Sequence, residues 1–552
     1  MDQKTLIGFI LIGAILLFWP TYLEIISPDG APKTPEKLLQ KEKEVVALSA
    51  KKNKQPASAP KEASSVLEKN IEIETPLFVT KITNKNGGSF SSFFVKKHLK
   101  KGEKNLGLID KENTNNLLVS YINQSGEEVL LDGFWFLGDG LDSDKIILNE
   151  NNPTTTLSYF LSVGGKNIQK DLTFSYNSYE VVVNTSLREV RGDILDGNYR
   201  LGWFGGLPIT EPTQDFMFLE GLIGQGGDIE SYRVGSGGLF GGSTDNIERS
   251  SKQYTGSADF AGYRTKYFGL FFIPQKTDFV EISKYSSGGR ASVDVSTVQN
   301  INFEETVLFF GPLEYGEISS LGVGIEEKIL GWQWLSSVSW LVYSVMIFLY
   351  GLIPNYGVVV VLFAVLIKLV TYPLMAKQLR SSKKMQEINP LLNNIKTKYK
   401  NNPTLQQQKI AALFQEHKIN PLAGCLPMLI QMPILMSVFM VFRNTIEFRG
   451  ESFVLWISDL SAADTLFDIG GIPINILPFL MSASMYYTMQ LSTATQSPGG
   501  DPAQEATQQM MKYMFPGMMF FLFYNFPSGL NLYYLCFNVM QIAQQKIINK
   551  EG

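Results

Sequence analysis

The chain has 552 residues, enough for several domains, and its formal charge of −4 provides no concentrated basic face, so we expect no specific DNA binding. With two histidines and two cysteines, and with no GxxxxGK[ST] nucleotide motif, it is expected to be neither an enzyme nor dependent on a metal or cofactor. Both cysteines fall in apolar segments, so the polar half of the chain has no disulfide framework. The 45% hydrophobic content averages two unlike halves, which are a glycine-rich polar part to about residue 323 and an apolar part beyond about 330.

The N-terminal segment, residues 1–26, reads as a membrane anchor. Residues 6–19 are uncharged and mostly apolar, and the alternative is a cleaved signal peptide. The bulky Phe18, Trp19 and Tyr22 stand where a cleavage site needs small residues, which favours the anchor. Residues 27–69 are mainly Lys, Glu, Ala, Pro and Ser, which predicts a flexible linker.

Residues 70–323 show the pattern of an antiparallel β-sandwich domain. Segments such as LFVTKITN (77–84), TTTLSYFLSV (154–163) and YFGLFFIP (267–274) are β-rich and are separated by Gly, Asn and Pro. The stretch GSGGLFGG (235–242) could be compared with a phosphate loop, but no convincing helix follows it, and a surface loop is the simpler interpretation.

Five later segments approach the length of a membrane span, about 20 residues for about 30 Å of hydrocarbon. They are residues 357–375, 422–442, 473–491, 510–526 and 530–547, of which the last two are short. Residues 331–355 are also long enough to cross. Their three tryptophans instead favour an interfacial amphipathic helix, which we place at 324–355.

The loop 377–418 fixes the predicted orientation. It contains nine Lys or Arg and two Glu, so the positive-inside rule places it in the cytoplasm. Both termini are then cytoplasmic, and the β domain lies outside the cytoplasmic membrane. Helical spacing of apolar residues, interrupted at 401–403, predicts a helical hairpin with Thr404 as the cap of its second helix. Its basic surface could bind anionic lipid or ribosomal RNA, or could serve only to set orientation.

Lys368 is a charged residue inside an apolar run, VVVVLFAVLIKLVTYPL (358–374). A charge in mid-membrane costs about 2.5–3.5 kcal/mol on insertion scales. One interpretation is that the side chain extends to the cytoplasmic headgroups, and the other is that it lies in a water-filled cavity open to the cytoplasm. The five spans contain no Asp or Glu, so no partner within the protein is evident.

Amides and methionines form two further patterns in the spans. The amides Gln431, Asn531, Asn538, Gln541 and Gln544 either join helices or line a polar groove. Methionines recur at four-residue steps, which keeps them on one helix face, as ordinary filler or as an adaptable hydrophobic slide for apolar partners. The proposed slide residues are Met428, Met432, Met436, Met440, Met481 and Met485.

Three ordered motifs, NPLAGCLPMLIQMPI (420–434), FVLWISDLSAAD (453–464) and FPSGLNLYY (526–534), resemble the YidC membrane-protein insertase family. The resemblance is strong over about 340–548. It implies a core of five transmembrane helices over 356–548, an N-terminal anchor, and a periplasmic domain that is an all-β supersandwich. It also implies a location in the bacterial inner membrane, with nascent membrane proteins, the ribosome, the Sec translocon and the lipid bilayer as partners.

The resemblance further implies a hydrophilic groove that is open to the cytoplasm and carries one positive residue. Lys368 falls at that position, where the family usually has arginine, so the charge is kept while the planar guanidinium is lost. Substrate contacts carry over to Ala364 and Tyr534, and we add Gln431 and Asn538 to the expected substrate groove. The expected function is membrane-protein insertion, alone or with the Sec translocon. The alternatives are a small-solute transporter or channel, or a sugar- or partner-binding module on a membrane anchor.

Overall fold

The computed structural model describes residues 66–551, except 101, 110–114, 139–142, 212–214, 235–247, 288–289, 332, 418–425 and 495–508. The predicted anchor, most of the predicted linker and the GSGGLFGG stretch therefore lie outside the described residues. The described chain forms two compact units. One comprises 66–97, 105–313 and 319–324, and the other comprises 98–104, 314–318 and 325 onward.

The first unit is built from β-strands. In chain order they are β1 Asn70–Glu74, β2 Phe78–Thr83, β3 Ser89–Val95, β4 Leu106–Gly107, β5 Leu118–Asn123, β6 Glu128–Leu130, β7 Phe136–Leu137, β8 Lys145–Ile147, β9 Thr154–Val163, β10 Lys166–Ser175, β11 Glu180–Ser186, β12 Ile194–Trp203, β13 Glu220–Gln225, β14 Asp228–Arg233, β15 Ser250–Thr255, β16 Phe260–Arg264, β17 Phe268–Pro274, β18 Phe279–Ser287, β19 Arg290–Asn300 and β20 Glu305–Pro312. A 3-10 turn, Arg188–Asp193, and a short helix, α1 Asp215–Phe218, interrupt them.

Three sheets contain these strands, with five strands in the order β4-β3-β2-β1-β8, nine in the order β14-β13-β16-β17-β20-β11-β10-β9-β7, and six in the order β15-β18-β19-β12-β5-β6. The predicted strands near 78, 154 and 268 are all present. Pairing is antiparallel, as predicted, except that β1 and β8 are parallel in register Ile73↔Ile146. The period-two pattern of β9 buries Leu157, Tyr159 and Leu161, which explains why alternation was legible in the sequence.

An aromatic core joins the three sheets. Phe90 of β3, Phe310 of β20 and Trp203 of β12 come one from each sheet, and their ring centroids lie 5.1–5.7 Å apart. Phe93 adds a ring 4.3 Å from that of Phe310. Rings of this size exclude water from a large volume, so this cluster is the centre of the β unit.

A buried lysine lies among the same three sheets. Lys170 of β10 is 0% exposed, and its ammonium donates to the carbonyl oxygens of Asn86 at 3.0 Å and Leu117 at 2.6 Å. Asn86 follows β2 and Leu117 precedes β5, and both have a positive φ, 56° and 52°. Left-handed backbone is strained for leucine, so Lys170 stabilises two unusual turns from one position.

The second unit is mainly helical. Helix α2 Tyr315–Ser320 has its first four residues in this unit. The helices that follow are α3 Ile325–Ile329, α4 Ser336–Leu352, α5 Tyr356–Lys398, α6 Pro403–Glu416, α7 Leu426–Asn444, α8 Leu477–Ala494, α9 Phe515–Phe523 and α10 Ser528–Glu551. Short turns Gln333–Leu335, Ile446–Phe448 and Met510–Met514 and a hairpin of β21 Thr465–Ile469 and β22 Ile472–Asn475 complete it. Helix α10 packs against α5, α7 and α8, while α4 packs against α5 and α7.

Helix boundaries differ from the sequence-based ones at several places. A single helix, α5, contains both the predicted span at 357–375 and the first half of the predicted hairpin. The cap of α6 is Asn402, whose side chain accepts from the Leu405 amide at 3.1 Å, and the prediction of Thr404 was wrong. The predicted hairpin packing is present, since Ile388 and Leu392 of α5 bury against Leu413 of α6.

The later spans also differ from the expected ones. Helix α8 begins at Leu477, because the preceding residues 472–475 form a strand. The π-helical turn Met510–Met514 and α9 form one continuous helical segment over 510–523, whereas α10 has 24 residues, so only the first of the two segments expected to be short is short. Among the described residues, Tyr356–Pro373 is the one stretch long and apolar enough to cross a membrane, and Ser336–Leu352 and Met432–Asn444 are shorter apolar helices.

Candidate functional site

Lys368 is buried between two helices. It lies on α5, is 5% exposed, and its Nζ donates to Oε1 of Gln541 on α10. Nζ also lies 4.2 Å from the ring centroid of Phe537, within the range of a cation–π contact. The side chain therefore points into the helical unit instead of extending along an exposed surface. The expectation that it has no partner within the protein was wrong.

The geometry of α10 explains this enclosure. Phe537 and Gln541 are four residues apart, so they lie on one face of the helix, and that face packs against α5. The ring and the amide then contact the ammonium from one element. From the sequence, Gln541 was predicted only as one of several amides and Phe537 was not predicted, although their i, i+4 spacing is visible in the sequence.

The partners of Lys368 are uncharged. Within the described residues no carboxylate lies at salt-bridge distance from its ammonium, which contacts an amide oxygen and an aromatic face. Thr371, one turn further along α5, donates its hydroxyl to the Ile367 carbonyl at 2.8 Å. A buried cation with only neutral partners retains unused capacity for an anionic ligand.

Helix α10 carries polar groups along one face. Asn531, Asn538, Gln541 and Gln545 are separated by seven, three and four residues, so with Tyr534 they follow one line of the helix. The amide of Asn531 donates to the Phe523 carbonyl at 3.2 Å, and that of Asn538 donates to the Ser484 hydroxyl of α8 at 3.2 Å. Two of the predicted amides thus join helices, and a third contacts the cation.

Gln544 is different from these amides. It is buried, yet neither its Nε2 nor its Oε1 has a hydrogen-bond partner among the described residues. The hydroxyl oxygen of buried Ser437 on α7 likewise has no hydrogen-bond partner among the described residues. Polar atoms left in this way cost about 1–3 kcal/mol each unless water or another chain bonds them.

Ala364 and Tyr534 are both buried in the hydrophobic cluster of the helical unit. Ala364 lies one turn before Lys368 on α5, and the Tyr534 ring lies 5.1 Å from that of Phe523 in edge-to-face contact. In this packing neither side chain is open to solvent. Contact with a substrate at these positions therefore requires the helices to separate.

The methionines differ in exposure. Met440 and Met481 are buried in the same cluster, Met436 and Met485 pack against it while partly buried, and Met432 is exposed. Along α7 the stripe therefore passes from exposed at Met432 to enclosed at Met440. Met428 and Gln431 are on α7 too, but their side chains lie outside the described part of the structure.

Two aspartates of the motif FVLWISDLSAAD hold helix ends together. Oδ2 of Asp464 accepts from the Trp456 indole at 2.9 Å and from the Ile476 and Leu477 amides at 3.0 and 2.6 Å, so it caps the start of α8. Burial raises the pKa of Asp464, and these hydrogen bonds oppose the rise. Oδ1 of Asp459 accepts from the Gly450 amide at 3.1 Å and from Ser461.

The start of α10 is fixed by the same loop. Ser528 donates its hydroxyl to the Asp459 carbonyl at 2.7 Å, and the Gly529 amide donates to the Leu460 carbonyl at 2.9 Å. The motifs 453–464 and 526–534 are therefore adjacent in space. Together the two motifs fix the starts of α8 and α10, the helices that carry Ser484 and Gln541.

The two units match two family models. Residues 348–552 match the 60Kd inner membrane protein family, and residues 70–341 match the YidC periplasmic domain. Together with the sheets of the first unit and the membrane-length helix of the second, these matches define the class of protein. It is a bacterial inner membrane protein with a periplasmic domain that is mostly β-sheet.

Full-length relatives narrow the class further. The chain is 31% identical to the membrane protein insertase YidC of Chlorobaculum parvum, with 100% of this chain and 94% of the relative covered. It is also 31% identical to those of Prosthecochloris aestuarii and Chloroherpeton thalassium, with 95% and 96% of the relatives covered. The chain therefore belongs to the YidC membrane protein insertase family. Membership favours insertion over the alternative of a solute transporter.

Solved structures add little. A galactose mutarotase related enzyme from Lactobacillus acidophilus is 8% identical, with 44% of this chain and 97% of that chain covered and a TM-score of 0.25. That likeness is too low to support any argument about a ligand of the β unit.

Proposed function

We propose that this insertase receives the polar tail of a nascent membrane protein between α5 and α10, where Lys368 meets it. The observation that carries the proposal is the enclosure of an ammonium that has an amide oxygen and an aromatic ring, but no carboxylate, as described partners. A structural lysine in lipid is expected to have a fixed anionic partner or to reach the headgroups. Lys368 has neither, which suits a transient acidic guest.

In this proposal a carboxylate of the substrate tail replaces the Gln541 amide as the partner of the Lys368 ammonium. A charge-assisted hydrogen bond contributes about 1.5–3 kcal/mol, and a carboxylate adds charge–charge attraction that a neutral amide lacks. An acidic tail residue therefore competes well for the ammonium. Among the described residues, Lys368 is the one hydrogen-bond partner of the Gln541 side chain. That side chain can therefore rotate away and return after the tail has passed.

The groove would form by separation of packed helices. We assign Lys368, Ala364, Gln431, Tyr534 and Asn538 to its wall, and the unbonded atoms of Gln544 and Ser437 support it, because water or substrate backbone would satisfy them. The apolar segment of the substrate would slide along the six methionines named above. Met432 is exposed and offers a first contact, and flexible methionines adapt to varied apolar partners.

The membrane topology is part of the proposal. The core has five spans over 356–548, with the anchor at 1–26, the linker at 27–69, the β domain at 70–323 and, at 324–355, an interfacial segment that contains α3 and α4. Both termini and the basic hairpin 377–418 face the cytoplasm, where the hairpin can meet the ribosome, and the Sec translocon is a second partner. The helical segment 510–523 is shorter than a span of about 20 residues and would thin the bilayer beside the groove.

The test compares Lys368→Ala with Lys368→Arg in vesicles reconstituted with the full-length protein. Two substrates that differ only in an acidic or neutral tail are inserted, and the rates are measured by protease protection. We expect Lys368→Ala to slow the acidic-tail substrate about tenfold, equivalent to about 1.4 kcal/mol, and Lys368→Arg to keep the wild-type rate. Equal insertion of the acidic-tail substrate by the alanine variant would exclude the proposed role of the charge.

A further inference from the structure

A small β-hairpin precedes α8. Strands β21 and β22 pair in antiparallel register, with Phe467 opposite Ile474 and Ile469 opposite Ile472. Gly470 and Gly471 connect them with φ of 61° and 86°, as a two-residue turn with both central residues left-handed requires. The Asp468 carboxylate closes the turn by accepting from the Gly471 amide at 2.7 Å.

The base of the hairpin is firmly attached. Thr465 donates to the Asn475 side-chain oxygen at 2.7 Å, and the Asn475 amide donates to the Tyr524 carbonyl, also at 2.7 Å. The Tyr524 hydroxyl donates in return to the Pro473 carbonyl. The cap that Asp464 forms on α8 lies directly between the hairpin and the helix. The hairpin is therefore an anchored part of the helical unit.

One face of the hairpin is apolar and exposed. Phe467, Ile469 and Ile472 are 49%, 61% and 62% exposed, and they lie on the face to which Ile474 also belongs. A two-stranded sheet with such a face is only marginally stable in water. Its apolar side chains therefore need contact with lipid or with another apolar surface. Because the base of the hairpin is fixed, that contact must form without movement of the hairpin.

The apolar surface continues from the hairpin onto the helices. Tyr524, which bonds Pro473, lies 5.4 Å from the ring of Phe520, and Phe520 lies 6.5 Å from that of Phe479 on α8. The neighbouring Phe521 of α9 is 78% exposed. These rings begin at the base of the hairpin, where Tyr524 bonds Asn475 and Pro473, and they belong to helices that we place in the membrane.

We propose that the hairpin Thr465–Asn475 lies in the outer interface of the membrane, with the side chains of Phe467, Ile469 and Ile472 inserted among the lipids. The inference rests on the proposed placement of α8 and α9 in the membrane, but not on the role of Lys368. The outer strand edges carry unpaired backbone groups, which excludes the hydrocarbon centre and fits the hydrated headgroup boundary. Asp468 at the turn is then in the headgroup layer.

The hairpin would act as an outer stop for α8 and α9. A segment that lies flat in the interface resists movement of its helix along the membrane normal. The helical segment 510–523 is followed by Tyr524, whose attachment to the hairpin base would fix the depth of that segment. During insertion, when neighbouring helices must separate, the exposed face would keep α8 and α9 at a constant depth in the membrane.

The test measures the depth of a spin label in vesicles of phosphatidylethanolamine and phosphatidylglycerol. The full-length protein, with Cys425 and Cys536 replaced by serine, receives one label through Ile469→Cys, and accessibility to oxygen and to a water-soluble nickel complex is recorded. Val370→Cys serves as the lipid-exposed reference and Ser125→Cys as the aqueous reference. We expect the oxygen-to-nickel ratio at Ile469 to be severalfold above that at Ser125 and below that at Val370.

Two results would overturn the inference. A ratio equal to that at Ser125 places the face in water, and a label shielded from both reagents indicates a protein cover, either another part of this chain or a second copy. The measurement does not involve transport of a substrate. Loss of insertion in the Lys368 variants and loss of lipid contact at Ile469 are therefore separate outcomes.

Discussion

The two units of this protein each bury a lysine, and they do so in opposite ways. In the β unit, Lys170 donates to two backbone carbonyls, and its position among three sheets cannot change without unfolding. In the helical unit, Lys368 contacts the side chains of Gln541 and Phe537, both on α10. The first cation is bonded by groups that are fixed, and the second by groups that can rotate away.

This difference separates a structural cation from one that is available for exchange. Burial of a charge is costly in either place, so each must have a reason to persist. Lys170 stabilises two left-handed turns, at Asn86 and Leu117, in which residues other than glycine have a positive φ. Lys368 stabilises no backbone turn, and its partners are neutral. The comparison predicts that one site controls folding and the other controls transport.

The largest expected effect is on the stability of the β unit. Lys170→Ala removes the packed side chain and leaves two carbonyls without a donor, so the unit should lose about 3–5 kcal/mol of unfolding free energy at pH 8. Native-state hydrogen exchange of peptides covering Lys166–Ser175 in the full-length protein measures this. Lys368→Ala should leave the same peptides unchanged.

The matched control for that change is Lys166→Ala on the same strand. Lys166 forms a surface ion pair with Asp193 at 2.6 Å, and both side chains are largely exposed. Such pairs contribute about 0–1 kcal/mol. If Lys166→Ala and Lys170→Ala destabilised the strand equally, the structural role of Lys170 would be wrong.

A smaller effect is expected at the partner of the exchangeable cation. Gln541→Leu leaves the Lys368 ammonium with only the Phe537 ring, so the ammonium should reorient and the discrimination between acidic and neutral tails should fall about fivefold to tenfold. Paired insertion rates of the two substrates measure the discrimination. Gln541→Asn should restore part of it.

Gln544→Leu is the control on the same helix. Gln544 is also buried but does not contact Lys368, so Gln544→Leu should affect both substrates alike and leave the discrimination between acidic and neutral tails unchanged. A variant of Gln541 that slowed both substrates equally would show that this residue supports packing only, and that it does not position the charge.

The smallest effect is a pH dependence of the β unit. Burial lowers the pKa of Lys170 to about 7, against 10.5 as its ordinary value. Between these values the unfolded chain binds more protons than the folded one, so stability rises with pH above 7, and below 7 the cost of the buried charge is fully present. The rise from pH 7 to pH 8 should be about 1 kcal/mol.

Lys170→Met isolates that contribution, because methionine keeps an unbranched side chain that does not titrate. Hydrogen exchange in β10, corrected for intrinsic exchange, should show the rise in the wild type and a flatter profile in the variant. The same slope in both proteins would assign the pH dependence to other groups.

Much of the β unit and of the helical hairpin was predictable, because both follow local periodicity. Alternation in β9 and the spacing of Ile388 and Leu392 were correctly interpreted. The parallel pairing of β1 with β8 was not, since it joins strands more than seventy residues apart. Residues 473–475 of strand β22 were included in the predicted span 473–491, because a short apolar run suits either a strand or a helix.

The sequence by itself determined which part of the chain forms strands and which part forms helices. It also determined the unusual position of Lys368 in an apolar helix and the motifs that resemble the insertase family. These are properties of composition and spacing along the chain. Only the tertiary structure decided that Gln541 and Phe537 meet Lys368, that Lys170 joins three sheets, and that the hairpin exposes its apolar face. Each depends on contacts between residues distant in sequence, and such contacts are set by packing of the whole unit rather than by any local pattern.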